Sequence, residues 1–223
     1  MIKNIIFDIG SVLLGYRWKD MCLDAGWEED RAEKIGRGFF LSPLWPDFDA
    51  GLISAEELIR SVVEKYPDME EDARWFIGSG KKMTVERPKI WELVRKLKEK
   101  GYGIYVLSNY SEELFAVHTD GLPFWEQVDG GVISYQIRQI KPNPPIYEHL
   151  LEKYRLSAGE CLFFDDRPEN TEGARALGMQ AVTVEDGSEE LLVRELEKLL
   201  DGCRGIRSPP APRTAVRPYV PQT

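Results

Sequence analysis

Four short, uninterrupted apolar runs mark the chain: NIIFDI (4–9), YGIYVLSN (102–109), ECLFFDD (160–166) and QAVTV (180–184). Runs this long and this rich in Ile, Val, Phe and Tyr predict parallel strands covered on both faces, because a half-exposed strand would alternate apolar with polar positions. Between them the period becomes helical. PKIWELVRKLKEKG (88–101) sets Ile90, Leu93, Val94 and Leu97 on one face, with proline near its start and glycine at its stop. PPIYEHLLEKYRL (144–156) and RPENTEGARALG (167–178) read the same way. Strand alternating with helix predicts βαβ units and an α/β fold, a Rossmann-like doubly wound parallel sheet.

The interval 16–86 breaks that alternation. It offers no convincing strand and several helical stretches, among them EEDRAEKIGRGFF and SAEELIRSVVEKY. We expect an α-helical cap inserted after the first strand, over a core built from residues 1–15 and 87–201. From 202 to 223 the pattern is lost. IRSPPAPRTAVRPYVPQT holds five prolines, no acid and no apolar period, so a disordered, basic, Pro-rich tail is expected there.

Charge narrows the partners. The net charge is −9 even though four arginines and no acid follow Gly202, so the rest of the chain is more acidic than that total. Such a body disfavours nucleic acid as a partner. It leaves room for a small anionic substrate, because a metal ion or a lysine reverses the sign locally. Cys22, Cys161 and Cys203 show neither zinc spacing nor a disulfide framework. The N-terminal apolar run is too short for a signal peptide, and no run approaches the roughly 18 residues of a membrane span. The expectation is a cytoplasmic protein with no membrane partner.

Chemistry collects at the strand ends, where ligands bind in doubly wound sheets. The first strand ends in Asp8, the second in Ser108-Asn109 and the third in Asp165-Asp166, while Lys141 precedes a proline-started helix. Taken singly, each has an ordinary reading as a helix cap or turn residue. Their occurrence in this order, each at the matching end of its element, predicts one rim bearing carboxylates, a hydroxyl, an amide and an ammonium group. That set suits Mg²⁺-assisted phosphoryl transfer, since Mg²⁺ takes a few hard oxygen ligands and leaves positions for water and phosphate. Backbone N–H groups after Asp8 can join the anion site.

With FDIGSVL, VLSN, KPNPPIY and FFDDRPEN in this order, the chain resembles the haloacid dehalogenase superfamily over roughly residues 3 to 185. It is most similar to the helical-cap branch, in the group containing α-glucose-1-phosphate phosphatase and the phosphatase domain of soluble epoxide hydrolase. The resemblance implies that Asp8 is the nucleophile, forming an aspartyl-phosphate that water hydrolyses. It implies Mg²⁺ bound by Asp8, Asp166 and the backbone carbonyl of Gly10, with Asp165 acting through a metal-bound water. Ser108, Asn109 and Lys141 would hold the transferring phosphoryl group, and Asn170 would order the loop.

One residue departs from the family's pattern. Most phosphatases of the superfamily carry a second aspartate two places after the nucleophile, which protonates the leaving group and then activates water. Here that place is Gly10. General acid–base help is typically worth about 10²–10⁴-fold. Three readings follow: a phosphatase whose leaving group departs easily or whose acid comes from the cap or the substrate; a dehalogenase, which would leave the Asp165-Asp166 pair without purpose; or an inactive relative serving as a phosphate-binding or protein-interaction module. The expectation is a Mg²⁺-dependent phosphatase for a small phosphorylated metabolite, a sugar phosphate by preference. His118 and His149 are expected to be exposed. Trp18, Phe39, Phe40, Trp45 and Phe48 are expected to be packing residues, with LWPDFDAG (44–51) the candidate substrate-facing stretch.

Overall fold

The computed structural model describes residues 1–202. Of the expected tail only Gly202 falls among them, closing the last helix; the remainder lies outside the described residues. In chain order come β1 (Asn4–Phe7), β2 (Leu14–Tyr16), α1 (Trp18–Asp24), α2 (Glu29–Phe40), α3 (Trp45–Asp49), α4 (Ala55–Lys65), α5 (Glu70–Gly78) and β3 (Thr84–Glu86). The alternation then resumes with α6 (Pro88–Glu99), β4 (Gly103–Ser108), α7 (Glu112–Thr119), β5 (Gly130–Ile133), α8 (Ser134–Ile137) and α9 (Pro144–Tyr154). It ends with β6 (Cys161–Asp165), α10 (Pro168–Ala176), β7 (Gln180–Thr183) and α11 (Glu189–Gly202).

Five strands form one parallel sheet in the order β5-β4-β1-β6-β7. The apolar runs are continuous because both faces of this sheet are covered. Ile5, Phe7, Ile104, Val106 and Phe164 pack on one face, and Ile6, Leu107, Phe163, Ile146 and Leu150 on the other. In β1, Phe7 pairs with Val106 on one side and with Phe164 on the other. The next residue, Asp8, therefore emerges at the middle of the sheet's carboxyl edge, where the strand order reverses.

Strand β5 is an addition to the sequence reading. Its residues, GGVI, carry two apolar side chains, too few to register as a run. Glycine is required at 131: a Cβ there would lie 2.2 Å from Cγ2 of Val106 and 2.9 Å from its carbonyl oxygen.

The interval after Leu14 is helical, as expected, but both of its feet are strands. β2 pairs antiparallel with β3, setting Leu14 opposite Glu86 and Tyr16 opposite Thr84. Three-residue strands leave no readable period. Arg87 ties this pair to the core, its guanidinium donating to the carbonyls of Ser11 at 2.8 Å and Gly187 at 2.8 Å. Within the helices, Phe39 and Phe76 stack with centroids 5.1 Å apart, and Ser54 and Glu57 form a reciprocal capping box at the start of α4. Among the described residues no helix is long and apolar enough to cross a membrane.

Candidate active site

Asp8 extends the ladder by one bond, its N–H donating to the carbonyl of Phe164 at 2.8 Å, and then turns its carboxylate into a cleft. Oδ1 accepts three hydrogen bonds: from the Ile9 N–H at 2.7 Å, from the Ser108 hydroxyl, and from the Lys141 ammonium at 3.0 Å. No donor among the described residues is bonded to Oδ2. One oxygen is fixed and the other is free.

Lys141 is 2% exposed, and each of its three N–H groups has an acceptor. They reach Asp165 Oδ2 at 2.6 Å, the Leu107 carbonyl at 2.9 Å and Asp8 Oδ1. Burial alone would lower the ammonium's pKa; Asp165 and Asp8 more than offset it and hold the group above its ordinary value. Asn109 positions the lysine through its backbone, its Oδ1 accepting the Lys141 N–H at 2.8 Å and its Nδ2 donating to the Lys141 carbonyl at 3.0 Å.

Asp165 is fully buried, and both its oxygens are engaged. Oδ2 takes Lys141, while Oδ1 accepts from the Arg167 N–H at 2.9 Å and from Asn170 Nδ2 at 2.9 Å. Consecutive residues at a strand end point opposite ways, and Asp166 lines the cleft instead. Asp8, Asp165 and Asp166 can each offer an oxygen, all within 4.8 Å of one another. Three carboxylates beside one buried ammonium leave excess negative charge. Burial raises Asp8 to about 7, Lys141 and Ser108 opposing and Asp165 and Asp166 reinforcing the shift, and burial with Asp165 likewise raises Asp166. A hard-oxygen donor set with unbalanced negative charge fits a divalent cation. Asp8 and Asp166 line the cleft, whereas both oxygens of the fully buried Asp165 are taken by Lys141, Arg167 and Asn170, so an ion would sit against the first two. Gly10 lines the same cleft.

The cleft measures about 330 Å³ and has two unlike walls. The sheet edge supplies the polar groups described above. The helical interval supplies Trp18, Phe40, Trp45 and Asp49, with Met83 just after it. Phe39 and Phe48 pack in the core, as expected, whereas Trp18, Phe40 and Trp45 also face the cleft. The stretch 44–51 reaches it through Trp45 and Asp49. Burial raises the Asp49 carboxyl to about 7, against the opposing pull of Lys141, the Trp45 side chain, Arg167 and the Ser111 backbone.

One expectation is corrected here. His118 is buried, at 4% exposure, and lines the cleft; only His149 is exposed. Its Nδ1 lies 3.1 Å from the Tyr110 hydroxyl and its Nε2 2.9 Å from the Gly80 carbonyl. Burial lowers its pKa to about 4. The sequence held a signal for this, since Leu114, Phe115 and His118 share one helical face. Tyr16 and Tyr110 also line the site, and no motif in the sequence announced them; Asp49 and Arg167 do so from within the stretches 44–51 and FFDDRPEN.

Similarity to known proteins agrees with the geometry. The model of the haloacid dehalogenase-like hydrolases matches residues 2–178. The D-ribitol-5-phosphate phosphatase of Bacteroides thetaiotaomicron is 24% identical over 85% of this chain and 95% of its own. Phosphatase MT3486 of Mycobacterium tuberculosis is 30% identical over 91% of this chain and 98% of its own. Among solved structures, a wild-type HAD-family enzyme of Bacteroides thetaiotaomicron, in complex with magnesium and inorganic phosphate, is 25% identical with a TM-score of 0.65. That match covers 85% of this chain and 97% of the other. The chain thus belongs to the haloacid dehalogenase-like hydrolases.

Proposed function

We propose that the protein is a Mg²⁺-dependent phosphatase that hydrolyses a small phosphorylated metabolite through an aspartyl-phosphate on Asp8. The observation that carries this reading is the asymmetry of Asp8, with Oδ1 held by three donors and Oδ2 without one. Oδ2 attacks phosphorus, the bond to the leaving oxygen breaks, and water then attacks phosphorus to release phosphate and restore the carboxylate. In the phosphorylated state Ser108 and Lys141 would turn from Asp8 Oδ1 to the transferring phosphoryl oxygens, with Asn109 keeping Lys141 in position. Asp8 and Asp166, with the Gly10 carbonyl, would hold Mg²⁺, and Asp165 would act behind them through a metal-bound water. The bound cation would offset the charge developing on the phosphoryl oxygens.

The helices α1–α5 act in this reading as a cap over the core. Their aromatic wall, with the Asp49 carboxyl, suits the apolar face and hydroxyl edge of a sugar ring, so a sugar phosphate is the proposed substrate class. The buried free thiols of Cys22 and Cys161 accord with a cytoplasmic setting. The bare position 10 favours a second reading, a phosphate-binding protein with little or no turnover. Phosphate release from p-nitrophenyl phosphate, glucose-1-phosphate and glucose-6-phosphate, with Mg²⁺ and then with chelator, separates the two. Mg²⁺-dependent release that Asp8→Asn abolishes supports the phosphatase; phosphate binding without release supports the alternative.

A further inference from the structure

As the P–O bond of a phosphate ester breaks, the departing oxygen needs a proton, and Gly10 has no side chain to give one. The donors nearest Asp8 are already engaged. Lys141 has all three N–H groups on protein acceptors, Ser108 donates to Asp8, and Asn109 and Asn170 donate to Lys141 and Asp165.

Tyr16 stands apart. Its ring occupies the space that a side chain on residue 10 would enter, since a Cβ at Gly10 would lie 2.7 Å from Cε2 and 3.2 Å from the hydroxyl oxygen. Strand β2 holds it there, paired with Thr84. Tyr16 lines the cleft with 44% of its surface exposed, while burial of its hydroxyl, with Tyr110, Asp8 and Asp49 close by, holds the phenol well above its ordinary pKa, so it stands protonated as a donor. Its hydroxyl donates to the Tyr110 hydroxyl at 2.7 Å, and Tyr110 meets His118 Nδ1. The direction of this chain is fixed from its far end. The Gly80 carbonyl can only accept, so His118 carries its hydrogen on Nε2 and takes Tyr110's at Nδ1. The Tyr110 oxygen is left as acceptor for Tyr16, whose hydrogen can swing from it into the cleft by a single rotation.

We propose that Tyr16 is the catalytic acid–base residue of this site, standing where Gly10 leaves a gap. Its hydroxyl protonates the leaving-group oxygen as Asp8 bonds to phosphorus. The resulting phenolate takes a proton from the water that then attacks phosphorus and breaks the Asp8–phosphate bond, so Tyr16 ends the cycle as it began. Tyr110 and His118 are positioning residues: when Tyr16 is a phenolate, the Tyr110 hydrogen turns from His118 to it. This assignment rests on the phosphatase reading above and goes beyond it. The rival donor is Asp49, the other acid on the cap side of the cleft.

The test is Tyr16→Phe, which keeps the ring and removes the hydroxyl, measured with Mg²⁺ on phosphomonoesters running from p-nitrophenyl to simple alkyl leaving groups. We expect kcat/KM on alkyl esters to fall by about 10²–10⁴-fold and on p-nitrophenyl phosphate far less, so that dependence on leaving-group pKa steepens. With p-nitrophenyl phosphate the variant should also show a burst of nitrophenol before a slow steady state, because hydrolysis of the aspartyl-phosphate has lost its base. A merely structural role for Tyr16 would lower all esters alike and give no burst. The proposal is overturned if Tyr16→Phe keeps the wild-type slope, or if Asp49→Asn steepens it instead. Absence of Mg²⁺-dependent turnover by the wild type on every ester would overturn the phosphatase reading, and this assignment with it.

Discussion

Replacing Lys141 by methionine keeps the length and apolar stem of the side chain and removes its charge. In the native protein the ammonium lies between Asp8 and the fully buried Asp165 and has no solvent to replace it. Breaking a buried ion pair by removing one partner costs about 3–5 kcal/mol, because the other charge stays behind. For a domain of this size each kcal/mol moves Tm by about 2–4 °C, so a fall of roughly 10 °C is expected at pH 8. The pH dependence fixes the cause. Burial raises Asp8 to about 7 even with Lys141 pulling it down, so loss of Lys141 drives Asp8 higher still. A carboxyl whose folded-state pKa is raised contributes stability that is complete below its unfolded value and is lost as pH rises through the folded one. The deficit of Lys141→Met should therefore be nearly flat from pH 5 to about 7 and widen from there to pH 8 and above, where the native Asp8 ionises and the variant's does not. Urea denaturation of both proteins in chelator, at several pH values across that window, measures it. A deficit below about 1 kcal/mol at pH 8 would show that Asp8 and Asp165 do not depend on the ammonium, since a broken buried pair normally costs far more; a deficit that widens toward acid would show that Asp8 is not the group responsible.

Two further outcomes follow from the same geometry. Mg²⁺ needs its carboxylates ionised, so its apparent affinity should weaken up to about tenfold per unit as pH falls below about 7, the value to which burial raises Asp8; calorimetric titration across that range reads it directly, and a flat profile would exclude Asp8 as a ligand. Gly131→Ala drives a methyl group into Val106 at the β4–β5 pair, and a loss of about 1–3 kcal/mol in urea denaturation is expected, with no loss if β5 does not pair with β4 as described.

The parts of the fold that the sequence revealed share one physical property. Strands β1, β4 and β6 are buried on both faces or nearly so, and continuous burial writes itself as a continuous apolar run; β7, half-buried at the sheet edge, still carries enough β-branched residues to be read. Strand β5 escapes because its contact with β4 requires the absence of a side chain at Gly131. For β2 and β3, three residues are too few to show a period. The site divides in the same way. Asp8, Ser108, Asn109, Lys141, Asp165 and Asp166 could be read because strand ends of a doubly wound sheet converge by topology alone. The different surroundings of Asp165 and Asp166 could not, because adjacent residues at a strand end diverge and only the fold says which one meets Lys141. Tyr16, Asp49, Tyr110 and His118 come from a hinge strand, a short helix and the β4–α7 region. They meet only when the helical interval lies across the sheet; the stretch 44–51 pointed to Asp49 and the shared face with Leu114 and Phe115 to His118's burial, but nothing local to Tyr16 or Tyr110 records the meeting.

Asp8 is the residue proposed to carry the phosphoryl group. Mixing the protein with a ³²P-labelled phosphomonoester and Mg²⁺, quenching with acid on the millisecond scale and mapping the labelled peptide tests it most directly. A hydroxylamine-labile label is expected on the peptide containing Asp8, absent from Asp8→Asn, which should also lack turnover. Label on another residue, or turnover that survives in Asp8→Asn, would contradict it.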